Sequence, residues 1–74
     1  MARNELVILQ VSSGPERYDV VNGRAALMTD RDFDDAKDYV QRVRTDEQVF
    51  LVELDGYRTN LTKEFDRRRR PRCR

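Results

Sequence analysis

In residues 29–44, Phe33, Ala36, Val40 and Val43 recur at spacings of three, four and three. With about 3.6 residues per helical turn, these side chains share one face, and Tyr39 lies at the edge of the stripe. The segments on either side have strand character, so one amphipathic helix must cover most of the sheet they form. Thr29 is the predicted N-cap, with Asp32 three residues on as a capping-box variant. Asp30, Asp32 and Asp34 then occupy the positively polarised first turn, and Arg42 and Arg44 the negatively polarised last turn.

Leu6, Val7, Ile8, Leu9 and Val11 form an aliphatic run too short for a free helix, which suggests an interior strand. Ser12-Ser13-Gly14-Pro15 supplies a turn, and residues 17–21 suit a strand returning antiparallel to the first. Asn22-Gly23 is a two-residue hairpin signal of type I′, leading into a strand over residues 24–28. Beyond the helix, residues 48–54 form a second strong strand, and Asp55-Gly56 is another two-residue hairpin signal before a short edge strand. Asn60 is a further N-cap candidate. Leu61 and Phe65 at i, i+4, with Glu64–Arg68 and Asp66–Arg70 pairs, predict a short helix that ends before Pro71.

The expected fold is α+β: a small antiparallel sheet of three to five strands with one main helix across one face. Residues 1–60 make the single domain, and residues 61–74 a short helix or a disordered arginine-rich tail. A chain of 74 residues buries only a small core, and its single cysteine, Cys73, provides no disulfide framework. No apolar run exceeds four residues, so neither a membrane span nor a signal peptide is expected. The expectation is a cytoplasmic, soluble monomer.

Catalytic chemistry is sparse. The absence of histidine removes the commonest general base and the commonest metal ligand. Cys73 has no neighbouring base, Ser12 and Ser13 sit in a turn rather than a nucleophile elbow, and Gly14, Gly23 and Gly56 form no phosphate loop. Asp30, Asp32 and Asp34 mimic the first, third and fifth ligands of a calcium loop. However, Asp35 stands where the turn requires glycine, and Gln41 where a bidentate glutamate belongs. These acids are better explained by helix capping. No enzyme activity, cofactor or metal is expected, and a binding module is.

Three surfaces could carry binding. Residues 1–66 hold fourteen acidic and nine basic side chains, a net −5, whereas residues 67–74 hold six arginines and no acid. Arg67, Arg68, Arg69, Arg70, Arg72 and Arg74 suit RNA or DNA phosphates or an acidic protein surface; the plainer alternative is a solvated terminus. The second candidate is the sheet face the helix does not cover. Leu61 and Phe65 would cover it in the simplest arrangement; otherwise Val7, Leu9, Val49 and Leu51 remain as an apolar patch for a partner. The third is the acidic helix surface of Asp30, Asp34, Asp35 and Asp38, for docking on a basic partner or simply for solvation.

Taken together, the opening strand Leu6 through Val11, the Ser12-Ser13-Gly14-Pro15 turn, the single acidic helix and the arginine tail resemble a known family in layout. They are similar to the small phage-encoded inhibitors and antiterminators of host RNA polymerase, as in a Xanthomonas phage. The resemblance spans the chain in outline, and no individual contact residue carries over from it. It implies a regulator that binds bacterial RNA polymerase, blocks promoter engagement through σ, and lets the elongating enzyme pass terminators. The tail would then lie near nucleic acid or an acidic polymerase surface, in the cytoplasm of an infected host. The alternatives are an RNA-binding module using the tail and a small oligomeric structural protein.

Overall fold

A computed structural model describes residues 5–69, with the backbone alone at Arg68 and Arg69. Five strands and two helices follow in the order β1 (Glu5–Ser13), β2 (Glu16–Asn22), β3 (Ala25–Arg31), α1 (Phe33–Val43), β4 (Gln48–Val52), β5 (Arg58–Asn60) and α2 (Thr62–Arg69). The strands form one sheet in the order β3-β2-β1-β4-β5. The α+β class holds, but the sheet is mixed rather than antiparallel. β4 runs parallel to β1, pairing Leu6 with Val49, Val7 with Phe50 and Leu9 with Val52, while the other pairings are antiparallel. A parallel partner cannot be reached by a tight turn, so the chain crosses over the sheet through α1.

The two hairpins signalled by Asn22-Gly23 and Asp55-Gly56 both form, with turn chemistry other than expected. At the first, Asn22 pairs with Ala25, so Gly23 and Arg24 are the central residues. Of the residues around this turn only Gly23 has positive φ (61°), which is the II′ signature rather than I′. At the second, β4 stops at Val52, two residues short of the expected end. Gly56 N–H donates to Glu53 O (2.8 Å) and Glu53 N–H to Tyr57 O (3.0 Å), closing a three-residue loop with Gly56 at φ 91°. That left-handed glycine is what a three-residue hairpin loop requires.

The main helix begins later than Thr29. Thr29, Asp30 and Arg31 continue β3, and Asp32 is the N-cap, its Oδ1 accepting the Asp35 N–H at 2.9 Å. The sequence offers the same i, i+3 capping geometry at Thr29 and at Asp32, and strand pairing of Arg31 with Tyr18 selects the second. Asp30 is thereby left in the left-handed region at φ 58°, where its N–H donates to Asp19 Oδ1 (3.0 Å). Aspartate tolerates that conformation better than most residues.

The core is Leu6, Ile8, Tyr18, Val20, Val49, the α1 residues Ala36 and Val40, and Phe65 of α2. The short helix expected after residue 60 is present as α2, and through Phe65 and Leu61 it packs on the same core as the sheet. Thr62 fastens the start of α2 to β4, its Oγ accepting the Val49 N–H (2.9 Å), and Leu61 N–H donates to Val49 O (2.8 Å). Asn60 Oδ1 accepts the Thr62 N–H (2.9 Å), which gives Asn60 a capping role from within β5.

Arg44 joins the two helices. Its side chain is 3% exposed, with Nη2 2.8 Å from Asp66 Oδ1 and Nε donating to Glu47 O at 2.6 Å. Arg44 stands at the C-terminal end of α1, as expected, but its side chain is buried there. Asp66 pairs with Arg44, and Arg70, the partner expected for Asp66, lies outside the described residues. The partner expected for Glu64, the Arg68 side chain, also lies outside them. Glu47 completes the corner, its Oε1 accepting the Thr45 N–H at 2.7 Å. That backbone bond is the main cause holding the Glu47 carboxyl below its ordinary value of 4.5, against a smaller opposing effect of burial.

Two outcomes follow from this corner. Asp66→Ala strands a buried guanidinium beside a carboxylate site that is itself 59% exposed. The loss therefore falls between the limits for exposed and buried pairs, about 1–3 kcal/mol, read as a lower urea midpoint. Because the folded Glu47 carboxyl is depressed, its contribution is present above pH 4.5 and is lost as the pH falls through the lower folded value. Glu47→Gln should therefore be less stable than the parent at neutral pH, and the gap should close on acidification when midpoints are compared across pH.

Candidate functional site

The sheet has one covered and one open face. The core residues of α1 and α2 pack against the face of Leu6, Ile8, Tyr18, Val20 and Val49. Alternation along each strand sends Val7, Leu9, Val21, Phe50 and Val52 the other way, and all five are only half-buried. Among the described residues, no helix covers this face.

The strand register fixes its layout in rows. Val21, Val7, Phe50 and Asn60 lie side by side across β2, β1, β4 and β5. The next row is Asp19, Leu9, Val52 and Arg58. The apolar centre is therefore flanked by an acid on one side and a base on the other. The Arg58 guanidinium lies 4.5 Å from the centroid of the Phe50 ring, a cation–π contact that holds the base against the patch.

This layout corrects the expected patch of Val7, Leu9, Val49 and Leu51. Val49 is fully buried and Leu51 packs against the core under the helices, so neither shares a face with Val7 and Leu9. In the parallel register Val7 pairs with Phe50 and Leu9 with Val52, which places Phe50 and Val52 on the open face instead. Leu61 and Phe65 do not cover it, because both join the core on the other side. Val21, Asp19 and Arg58 were missed. Alternation within each strand was legible, but which alternate sets share a face depends on the register.

The acidic surface is also rearranged. Asp34, Asp35 and Asp38 are exposed on α1, while Asp30 is the penultimate residue of β3 and lies 3.9 Å from Arg17 Nε. A groove of about 320 Å³ between β3 and α1 brings Asp35 and Asp38 beside Arg31 and Arg42, so this surface is mixed in sign. Lys37 adds a further cation, 4.8 Å from the Phe33 ring centroid. In the tail, Arg67 is exposed on α2. Arg70, Arg72, Cys73 and Arg74, and the side chains of Arg68 and Arg69, lie outside the described residues.

Among the described residues no three acidic or thiol side chains are grouped to hold a metal, and no helix is long and apolar enough to cross a membrane. On the covered face, burial is the main cause raising the Tyr18 phenol above 10.0, followed by its hydrogen bond to Glu16 (3.1 Å) and the charges of Glu16 and Glu53. Its ring is locked against Phe33, centroids 4.9 Å apart, in a packing role. Comparison of the chain with protein-family models, curated proteins and solved structures finds no match.

Proposed function

We propose that the chain is a non-enzymatic regulator that works by binding a protein through the open face of its sheet. The supporting observation is the contiguous set Val7, Leu9, Val21, Phe50 and Val52, placed on one surface by the register and left without a covering helix. These side chains are half-buried by their strand neighbours and present their remaining apolar surface on one face, and contiguous apolar patches characteristically mark interaction sites. The edges of the sheet are poorer candidates. β5 has three residues, and β3 is irregular in its pairing with β2 and kinked at Asp30.

The target we assign is bacterial RNA polymerase, with inhibition of initiation, passage through terminators, or both as the outcome. This assignment rests on the layout resemblance to phage-encoded polymerase inhibitors and antiterminators, and it places the protein in the cytoplasm of an infected host. Apolar burial would supply the affinity, while the acidic body and basic tail would orient the approach. Phe50→Ser tests the reading, because Phe50 lies outside the core. Its circular dichroism should remain that of the folded parent, with a lower thermal midpoint because Phe50 is half-buried and carries the Arg58 contact. Capture of purified polymerase at low salt, at a temperature well below that midpoint, should fall at least tenfold, the usual scale for loss of an aromatic anchor. Parental protein that captures no polymerase subunit would sink the assignment.

The density of arginine in residues 67–74 supports a second reading, an RNA-binding module. On that reading, a chain ending at residue 66 loses RNA binding, and the steep salt dependence of the parent disappears with it. Unchanged affinity after truncation would exclude it.

A further inference from the structure

We infer that a second copy of this chain covers the open sheet face in the free protein. The inference builds on the reading of that face as a protein interface and names its first occupant. The two rows across the face, Asp19-Leu9-Val52-Arg58 and Val21-Val7-Phe50-Asn60, make it complementary to itself. A two-fold axis parallel to the strands, above the seam between β1 and β4, reverses the order of each row without shifting it along the strands. Leu9 of one copy then lies over Val52 of its partner, and Val7 over Phe50. At the margins Asp19 faces Arg58, and the symmetry makes that pairing twice. An isologous contact requires such self-complementarity; the apolar centre and the Asp19–Arg58 margins satisfy it, while Val21 meets Asn60 at the margins of the other row.

The packing is that of an aligned β-sandwich, two sheets face to face about 10 Å apart. Its size sets its strength. Four strands at about 4.8 Å spacing and about five residues of length give a footprint of roughly 20 by 17 Å. That is about 340 Å² per copy, below the roughly 1,200 Å² total of a standard specific interface. The contact is therefore a weak one, and the expected dissociation constant is micromolar rather than nanomolar. A polymerase subunit using the same face would compete with the second copy, and dimer dissociation would precede binding.

The test is sedimentation equilibrium on the 74-residue chain between about 1 and 200 µM, a range bracketing micromolar dissociation. The mass should rise from 8.8 kDa toward twice that value. Asp19→Arg sets two guanidinium groups against each other at both margins, and Arg58→Asp does the same with two carboxylates. Each variant alone should weaken self-association at least tenfold. An equimolar mixture should recover the dimer. The arginine introduced at position 19 then faces the aspartate introduced at position 58, while the native Arg58 and the native Asp19 meet at the other margin. A single chain carrying both substitutions should dimerise by itself, which separates charge pairing from loss of the Asp19 bond to the Asp30 N–H.

Parental protein that stays at 8.8 kDa throughout overturns the proposal, as does a mixture of folded variants that remains monomeric. Variants that dimerise like the parent also overturn it. A monomeric chain still captured by polymerase through Phe50 would leave the interface reading intact and remove the dimer. A dimeric chain that polymerase ignores would do the reverse.

Discussion

The pairing of β4 alongside β1, in parallel, organises this molecule. It puts the two most apolar segments side by side at the centre of the sheet and makes a tight connection between β3 and β4 impossible. The chain must leave at one edge, cross two strands and return, and α1 makes that crossing with Phe33, Ala36 and Val40 turned inward. Because the crossing is on one side only, the sheet acquires a dry face and a wet one. The register then decides which side chains each face receives.

Arg44 carries the asymmetry further. A helix as short as α2 has little stability of its own and is held by what it touches. It touches Val49 through Thr62, the core through Phe65, and α1 through the Arg44–Asp66 pair. All three contacts lie on the side where α1 already sits. Had α2 folded across the opposite face, its Phe65 would have covered Val7 and Phe50, and Arg44 would have had no carboxylate there. The small core is completed by doubling the cover on one side, and among the described residues no helix covers the other.

The sequence made the local features legible, and the misreadings arise where two local solutions were equivalent. The helix stripe is legible because its period excludes a strand, and Phe33, Ala36 and Val40 turn inward as expected, but Val43, at the helix end, is exposed. The start of the helix was ambiguous, since Thr29–Asp32 and Asp32–Asp35 have the same capping spacing, and a pairing with the preceding strand, Arg31 with Tyr18, made the choice. Both hairpins were signalled by glycine, but the residue count between paired strands, rather than the dipeptide, set the turn type. Parallel and antiparallel placements of residues 48–52 beside β1 bury equally apolar segments, so periodicity could not separate them. Nor does periodicity fix the register, which is what puts Phe50 and Val52, rather than Val49 and Leu51, on the face of Val7 and Leu9.

The same parity argument bears on why the open face is apolar at all. A strand buried on both faces reads as a continuous apolar run, and one buried on a single face alternates. β1 and β4 follow the first pattern, although within the described residues helices cover only one side. β2 comes closer to alternating, with Tyr18 and Val20 inward and Arg17 and Asp19 outward before Val21 breaks the pattern. The excess apolarity is thus confined to the two central strands and to Val21 beside them, which is where a covering layer would sit. On the flanks, Asp19 and Arg58 restore polarity with opposite signs. A face meant only for water would have no reason to concentrate its apolar residues at the centre. The central strands have the composition of an interior, and the covering layer that this composition would suit is the one we propose a second chain supplies.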